Sequence, residues 1–458
     1  MILRNKAKHT WWCQGFTYGN KVCDLDEDQL GCFDLAASVY NIDIDPVAVA
    51  YRNNYISKEH GNFIANLPGL GPLIMSVMRE KCRTTDIDLF KVLLRCEAGN
   101  FLKVFSTPFP DSPTGIEDSN RVIIDEHSPS KWVSSIIQRE VKVSKWYPLV
   151  CLNSWKQILA YDEHQLNYQH KIGILYQKKG QTNEGDMFSN NEPSEAFSEF
   201  LSELGHKVKL KDFQGFKGGL DTKNDATGTH SLYRVFRERH IMFHVSTMLA
   251  FNKNDPHQIG RKRFIGNDIV TIIFQDENTP FSPAIVSTNY TQFYAVIQPI
   301  YGENKKYKLS ICLREEVEDF KPPLPETAVF EAGPEFIDFL LTKLINAEIA
   351  CCKTGKFGEL HDRTRIDLLH SLYADLKSSV VEKNEKRIRL PKTQGQKIAQ
   401  QNKSFFTSLK MSRFQKQSEE EEEEKESEAS IAEISDGSIG RMVSFIQKLQ
   451  TLWTVLVL

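Results

Sequence analysis

Apolar residues along this chain recur with two periods, and the change of period marks out its elements. Between Pro46 and Lys178, short apolar runs of strand character (NFIANL, FKVLLR, FLKVF, YPLVCL and KIGILYQ) alternate with helical stretches such as SKWVSSIIQREV. This pattern predicts an α+β domain built largely on a sheet over residues 46–177. From residue 178 the helical period strengthens. In SEAFSEFLSELGHKVKL, Phe197, Phe200, Leu201 and Leu204 share one helical face, with Ser194 as N-cap and Gly205 as the stop. HSLYRVFRERHIMFHVSTML reads as two strands about a turn at Arg237 to Arg239, and IVTIIF and FYAVIQPI add two more. Pro334 opens a helix whose apolar face runs through Phe336, Phe339, Leu340, Leu344 and Ala347. RTRIDLLHSLYADL is expected to close this second, α/β block near Leu376.

The two ends follow neither period. Residues 1–45 are mixed in pattern, with acids at Asp24, Asp26 and Asp28, and read as a weakly ordered leader. Residues 377–417 are basic and poor in apolar side chains, and Glu419 to Glu424 then form an unbroken acidic run. Such blocks predict a disordered tail over 377–458, ending in a short apolar stretch, FIQKLQTLWTVLVL.

A formal net charge of -3 argues against a dedicated nucleic-acid binder. The nine cysteines form no CxxC pair and no zinc-spaced Cys/His cluster. No cleavable signal opens the sequence and no uninterrupted apolar window is long enough to cross a bilayer. These features predict reduced cysteines, no metal site and a cytoplasmic protein, with the basic tail as a possible contact to an anionic membrane surface.

GxxxxGK[ST], GxGxxG after a strand, HExxH, GxSxG and the protein-kinase set are all missing. His240 and His244 share one strand face, where a satisfied strand histidine is the commoner outcome than a metal ligand. What remains is RKRFIGNDIVTIIF, residues 261–274, which sets an Asn-Asp pair behind three cations and before a strand. One reading is a solvated basic cluster and a capped turn, with Asp268 as local acceptor. The other is an anion-facing site. There Arg261, Lys262 and Arg263 meet phosphates or an acidic partner, and the Asn267 carboxamide both donates to and accepts from a nucleophilic water. Positioning and charge stabilisation are most of the catalysis in phosphoryl transfer to water.

RKRFIGNDIVTIIFQDENTPFSP closely resembles the signature of Rap GTPase-activating proteins, a family that includes the tuberin-type activators. The likeness extends to YDEHQLNYQHKIGILYQKKGQTNEGDMFSNN, EFLSELGHKVKLKDFQGFKGGLDT, HIMFHVSTMLAFNKND and GPEFIDFLLTKLINAEIACCK, and YRNNYISKEH resembles the family's dimerisation domain. The resemblance implies a mixed-sheet dimerisation domain over 46–177, followed by a G-domain-like α/β catalytic domain over 178–376. It implies a homodimer acting on a Rap-like small GTPase in its GTP form. It implies no cofactor of its own, since Mg²⁺ and GTP belong to the partner. Asn267 takes the position of the family's asparagine thumb, which orients the attacking water. Lys171, Lys262, Arg263, Phe264 and Asp268 take GTPase-binding or thumb-bracing positions. Two positions depart from the pattern: Phe264 stands where the family has histidine, and Lys321 replaces glycine in FKPPLP. The competing expectation is a scaffold in which Phe264 has cost catalysis but not GTPase binding.

Overall fold

The computed structural model describes residues 11–14, 17–18, 21–22, 40–81, 88–106, 121–123, 129–138, 140, 145–149 and 153–388. Met1–Asn384 form one compact unit. Glu385–Leu458 form another, of which only the last residues of a helix are described. The expected acidic run and apolar end lie outside the described residues, as does the basic stretch beyond Ile388.

The leader contributes three short strands, β1 (Trp11–Gln14), β2 (Thr17–Tyr18) and β3 (Lys21–Val22). Strand β2 pairs with β3, whereas β1 joins a large sheet further along the chain. Next come α1 (Pro46–Ala50), N-capped by the Asp45 carboxylate, and a π-helical turn over Tyr51–Tyr55. A meander of β4 (His60–Leu67), β5 (Gly71–Lys81), β6 (Asp88–Cys96) and β7 (Gly99–Ser106) follows. Strand β8 (Arg121–Ile123) extends one edge and β9 (Tyr147–Pro148) the other, giving the order β8-β7-β6-β5-β4-β9. Helices α2 (Pro129–Ile136) and α3 (Ser154–Glu163) complete this layer. Its buried polar centre is Arg95, held in two bonds by Asp162 (2.6 and 2.5 Å) and linked through Ser76 and Asn62 to Tyr51. In the expected YPLVCL strand, Tyr147 and Pro148 pair with β4 and the Leu149 amide donates to the Asn62 carbonyl (2.8 Å); residues 150–152 lie outside the described residues.

The second sheet is built from β10 (Gln169–Gln177), β11 (His206–Lys209), β12 (His230–Phe236), β13 (Arg239–Val245), β14 (Val270–Gln275), β15 (Phe293–Ile300), β16 (Lys306–Arg314) and β17 (Val329–Glu331). Its order is β1-β16-β15-β14-β10-β13-β12-β11, with β17 on β16. Strands β10, β13, β14 and β15 run parallel through the centre. Side chains alternate across a strand, so each strand serves two cores. Ile172, Ile174, Ile272 and Phe274 meet α5 (Glu195–Leu204) and α7 (Pro334–Cys352). Leu175, Met242 and Ile273 meet α4 (Glu184–Ser189) and α6 (Ile259–Ile265) on the opposite face.

Local signals act as expected in several places. Ser194 caps α5 by accepting from the Phe197 amide (3.1 Å), and Gly205 ends that helix in extended backbone. The β12–β13 turn places Arg237 and Glu238 at φ 47° and 66°, a two-residue turn whose twist suits a hairpin. Arg237 is fastened there by Asp338 (2.8 Å) and the Tyr40 carbonyl.

Three expectations of domain layout are corrected. KIGILYQ does not belong to the first sheet: as β10 it lies between β13 and β14, at the centre of the second. Its unbroken apolar run marks a strand covered on both faces, which says nothing about the sheet it joins. RTRIDLLHSLYADL does not close the second block. It lies in α8 (Gly355–Ile388), which continues beyond Leu376. Leu368, Leu369, Leu372, Tyr373 and Leu376 enter the core of the first domain against Tyr51, Ile64, Leu93 and Ile158. Arg365 fixes that docking by donating to the carbonyls of Cys96 (2.8 Å) and Glu97 (2.6 Å). Nor is the leader wholly loose. Strand β1 pairs with β16, and Arg314 lies 4.1 Å from the centre of the Trp11 ring. Asn346 of α7 accepts from the Asp43 amide (2.8 Å) and donates to the carbonyls of Asn41 (3.1 Å) and Lys321 (2.8 Å). Beside it, Lys343 donates to the Phe320 carbonyl (3.0 Å), and burial pushes its ammonium down to about 8. Among the described residues, no helix is long and apolar enough to cross a membrane.

Candidate functional site

The 261–268 segment is a short helix and the turn that ends it, set against the sheet immediately before β14. Helix α6 starts at Gln258, whose side chain accepts from the Asn252 amide (3.1 Å) and donates to the carbonyls of Asn252 (2.6 Å) and Asp255 (2.5 Å). It ends at Gly266. A Cβ there would lie 2.7 Å from the Lys262 carbonyl oxygen, so the closing turn excludes any side chain. The Gly266 amide donates to that same carbonyl (2.7 Å), and the amides of Asn267 and Asp268 reach back to Phe264 (3.1 Å) and Ile265 (3.2 Å). Cations in the last turn, Lys262 and Arg263, suit the negative end of the helix dipole.

This turn sorts the cations that sequence could only group. Arg261 is 1% exposed and faces no partner. Its guanidinium donates to the carbonyls of Leu249 (3.2 Å), Phe188 (2.9 Å) and Asn190 (2.8 Å) and to Asn191 Oδ1 (2.8 Å). Burial pushes it down to about 10, still charged at neutral pH. Lys262 is half-buried, and its ammonium donates to Glu184 Oε1 (2.6 Å); Glu184 Oε2 accepts from the Ser287 amide (2.8 Å). Arg263 is exposed and, among the described residues, in no ion pair.

Asp268 is likewise removed from the surface, at 1% exposure. Its Oδ2 lies 2.7 Å from Nδ1 of buried His244, whose Nε2 donates to the Gly218 carbonyl (2.9 Å). His244 is therefore the anchor of the turn rather than a metal ligand. His240 instead bonds the Tyr233 hydroxyl. Among the described residues, no group of three His, Cys, Asp or Glu side chains is placed to hold a metal ion. Phe264, half-buried, sets its ring edge-on to the His244 imidazole at 5.4 Å between centroids. Two threonines bolt the turn from the opposite side: Thr288 donates to the Gly266 carbonyl and Thr291 to that of Asp268 (2.9 Å).

Asn267 is exposed between two buried neighbours, Gly266 and Asp268. Lys171 is also exposed, among the described residues in no ion pair, at the start of the neighbouring parallel strand, where Ile172 pairs with Val270. It alternates onto the same sheet face as Gly173, against which α6 packs. The structure thus brings Lys171, Arg263 and Asn267 to one side of the sheet and keeps Asp268 and Phe264 beneath them. Glu184, His244, Thr288 and Thr291 were not legible as site residues, because they come from distant segments and share no spacing with 261–268.

Residues 187–366 match the Rap/ran-GAP family and residues 47–168 the Rap/Ran-GAP protein dimerization domain. GTPase-activating Rap/Ran-GAP domain-like protein 3 of Danio rerio is 36% identical over 329 residues, covering 71% of this chain and 31% of that relative. Signal-induced proliferation-associated 1-like protein 1 of Mus musculus is 36% identical over 343 residues, covering 72% of this chain and 19% of its own length. The chain therefore spans 31% and 19% of the curated relatives it matches. The solved TSC2 GAP domain aligns at 28% identity over 40% of this chain and 96% of its own, with a TM-score of 0.36. Two matching domains in succession lead to one assignment: over residues 47–366 the chain belongs to the Rap/Ran-GAP domain family.

Proposed function

We propose that this protein stimulates GTP hydrolysis by a Rap-like small GTPase, with Asn267 as the group it lends to the partner's nucleotide site. The observation that carries this reading is an exposed carboxamide on a backbone fixed from beneath by Asp268, His244, Thr288 and Thr291. A carboxamide cannot serve as a general base at neutral pH, but it can hold a water in line with the γ-phosphate. Lys171 and Arg263 supply unpaired positive charge on the same side, for phosphate or for acidic side chains of the GTPase. Lys262 reaches such a partner only by exchanging Glu184 for it. No cofactor belongs to this chain in the reaction; GTP and Mg²⁺ arrive on the GTPase. Phe264 keeps the brace under the turn through ring packing, which supports an active protein over a GTPase-binding scaffold. The match to a dimerization domain supports a homodimer as the acting form.

The test is single-turnover GTP hydrolysis on a purified Rap GTPase with the parent protein and with Asn267→Ala. Acceleration that vanishes in the variant while GTP-dependent binding persists is the expected result. Equal acceleration by both proteins would remove Asn267 from the mechanism. Binding without acceleration by the parent would select the scaffold.

A further inference from the structure

A single exposed isoleucine is ordinary on a protein surface. Ile259 is not presented in an ordinary way. It is 63% exposed at the first position of α6, directly after Gln258, whose backbone sits at φ 46° and ψ 48°. Left-handed backbone at a residue other than glycine costs energy and persists only where the surroundings impose it. Here the imposition is visible: the Gln258 side chain, 3% exposed, spends both its carboxamide atoms on the 252–255 loop, and the Ile259 amide donates to Asp255 Oδ2 (2.7 Å). The loop is built so that α6 begins with an apolar side chain in water.

The direction in which that side chain faces gives its use. Along 259–268, residues 259, 260, 263 and 267 are exposed, while 261, 265, 266 and 268 are buried. Ile259 and Arg263 therefore share one exposed face of α6 at four-residue spacing, and exposed Asn267 follows in the turn after the helix, so the three make one exposed stripe in chain order. It runs from an apolar group, through a cation without a counter-ion among the described residues, to the carboxamide. Phe251, 39% exposed, lies in the preceding loop with its ring centroid 4.9 Å from the Arg261 guanidinium.

We infer that Ile259 is the apolar anchor of the GTPase interface and sets affinity for the GTP-bound partner without touching the chemistry. This rests on the activator reading of Asn267. The occupant is the GTPase rather than a second copy of this chain, because the stripe is continuous with the group aimed at the nucleotide. The surface it fits carries an apolar patch, then a carboxylate opposite Arg263, then the γ-phosphate, in that order. Ile259 makes the first contact, Arg263 pairs with the acid, and Asn267 follows into the site.

The experiment compares the parent with Ile259→Ser and Ile259→Asp. It measures Kd for a Rap GTPase loaded with a non-hydrolysable GTP analogue, and the single-turnover rate at saturating protein. Loss of a buried isoleucine contact predicts a Kd weaker by about 10-fold or more for the serine variant. The aspartate variant binds more weakly still, and the saturated rate and melting midpoint stay at parent values. An unchanged Kd in both variants overturns the anchor, as does a saturated rate that falls while Kd holds. Weakened self-association with unchanged GTPase binding would assign the stripe to a second copy and overturn the proposed occupant. A parent that binds the GTPase without accelerating it fails the thumb, while Ile259 is still judged by Kd. A parent that does neither sinks both.

Discussion

Gly173 offers a direct test of whether the seat of α6 on the sheet controls the thumb. Its backbone is ordinary for a strand, so the need for glycine is one of space. A Cβ at this position would lie 2.9 Å from Ile265 Cγ2, 2.9 Å from Thr271 Oγ1 and 3.3 Å from Asp268 Oδ2. Those three atoms belong to the last residue of α6, the second residue of β14 and the carboxylate beneath Asn267. Strand β14 cannot move without breaking its pairing with β10 and β15, so the added methyl must lift α6. Overpacking by one methyl costs about 1–3 kcal/mol. Displacing a positioned catalytic group by roughly 1 Å costs about 100-fold in rate.

Gly173→Ala is therefore expected to lower the melting midpoint modestly and the saturated single-turnover rate severely, with little change in Kd for the GTPase. Calorimetry and stopped-flow hydrolysis read the two effects separately. Ile265→Ala, made in the same background, removes one of the clashing atoms. The double variant should lose less stability than the sum of the single ones, a coupling that distant sites do not show. A Gly173→Ala protein that melts and hydrolyses like the parent would refute the claim that the seat of α6 positions Asn267.

Other consequences of the architecture can be measured. His244→Ala leaves the Asp268 carboxylate buried without its partner, which costs about 3–5 kcal/mol in urea unfolding; adding Asp268→Asn should recover part of that loss, and strictly additive costs would show that the pair is not coupled. A fragment cut to the Rap/ran-GAP match, residues 187–366, lacks the central strand β10 and all five of the α8 residues that enter the core of the first domain. It is expected to show no cooperative thermal transition, whereas residues 40–388 melt cooperatively; a sharp transition in the short fragment would contradict this. Lys343 has a folded pKa of about 8, below the usual lysine value because of burial, so the unfolded chain binds its proton more tightly. Its contribution to stability is then present above pH 10.5, the unfolded value, and is lost as pH falls through 8. Relative to Lys343→Met, the parent should gain about 2 kcal/mol between pH 7.5 and 9.5, and parallel pH curves would show that Lys343 does not titrate there.

What the sequence discloses here depends on whether a signal is local. Ser194, Pro334 and the hairpin at Arg237 announce themselves through neighbours a few residues away, and the structure follows them. Strand β10 does not, because an apolar run covered on both faces looks alike in either sheet. The apolar stripe of α8 was visible, but its target was not: Leu369 and Leu376 would suit any apolar surface, and the surface they meet is more than two hundred residues earlier. Arg261, Lys262 and Arg263 read as one basic cluster because helix spacing becomes informative only once a buried face is defined. That face is set by Phe188, Asn190 and Leu249, whose carbonyls take up Arg261.

The division within α6 has a consequence for how the site responds to change. Holding a side chain in one geometry costs conformational entropy, and a group fixed during folding need not bear that cost again when a partner binds. In this protein the fixed part is the backbone of 264–268, secured by Asp268, His244, Thr288 and Thr291, while the exposed side chains of Ile259, Arg263 and Asn267 ride upon it. Perturbing a buried member tilts the whole stripe and should reach the rate, however far that residue lies from the nucleotide. Perturbing Ile259 or Arg263 removes a contact but leaves the stripe in place, and should reach only affinity. Asn267 belongs to the exposed set by position and, on the proposed function, to the rate. Truncating its side chain should therefore remove catalysis without disturbing either the fold or the docking that precedes it.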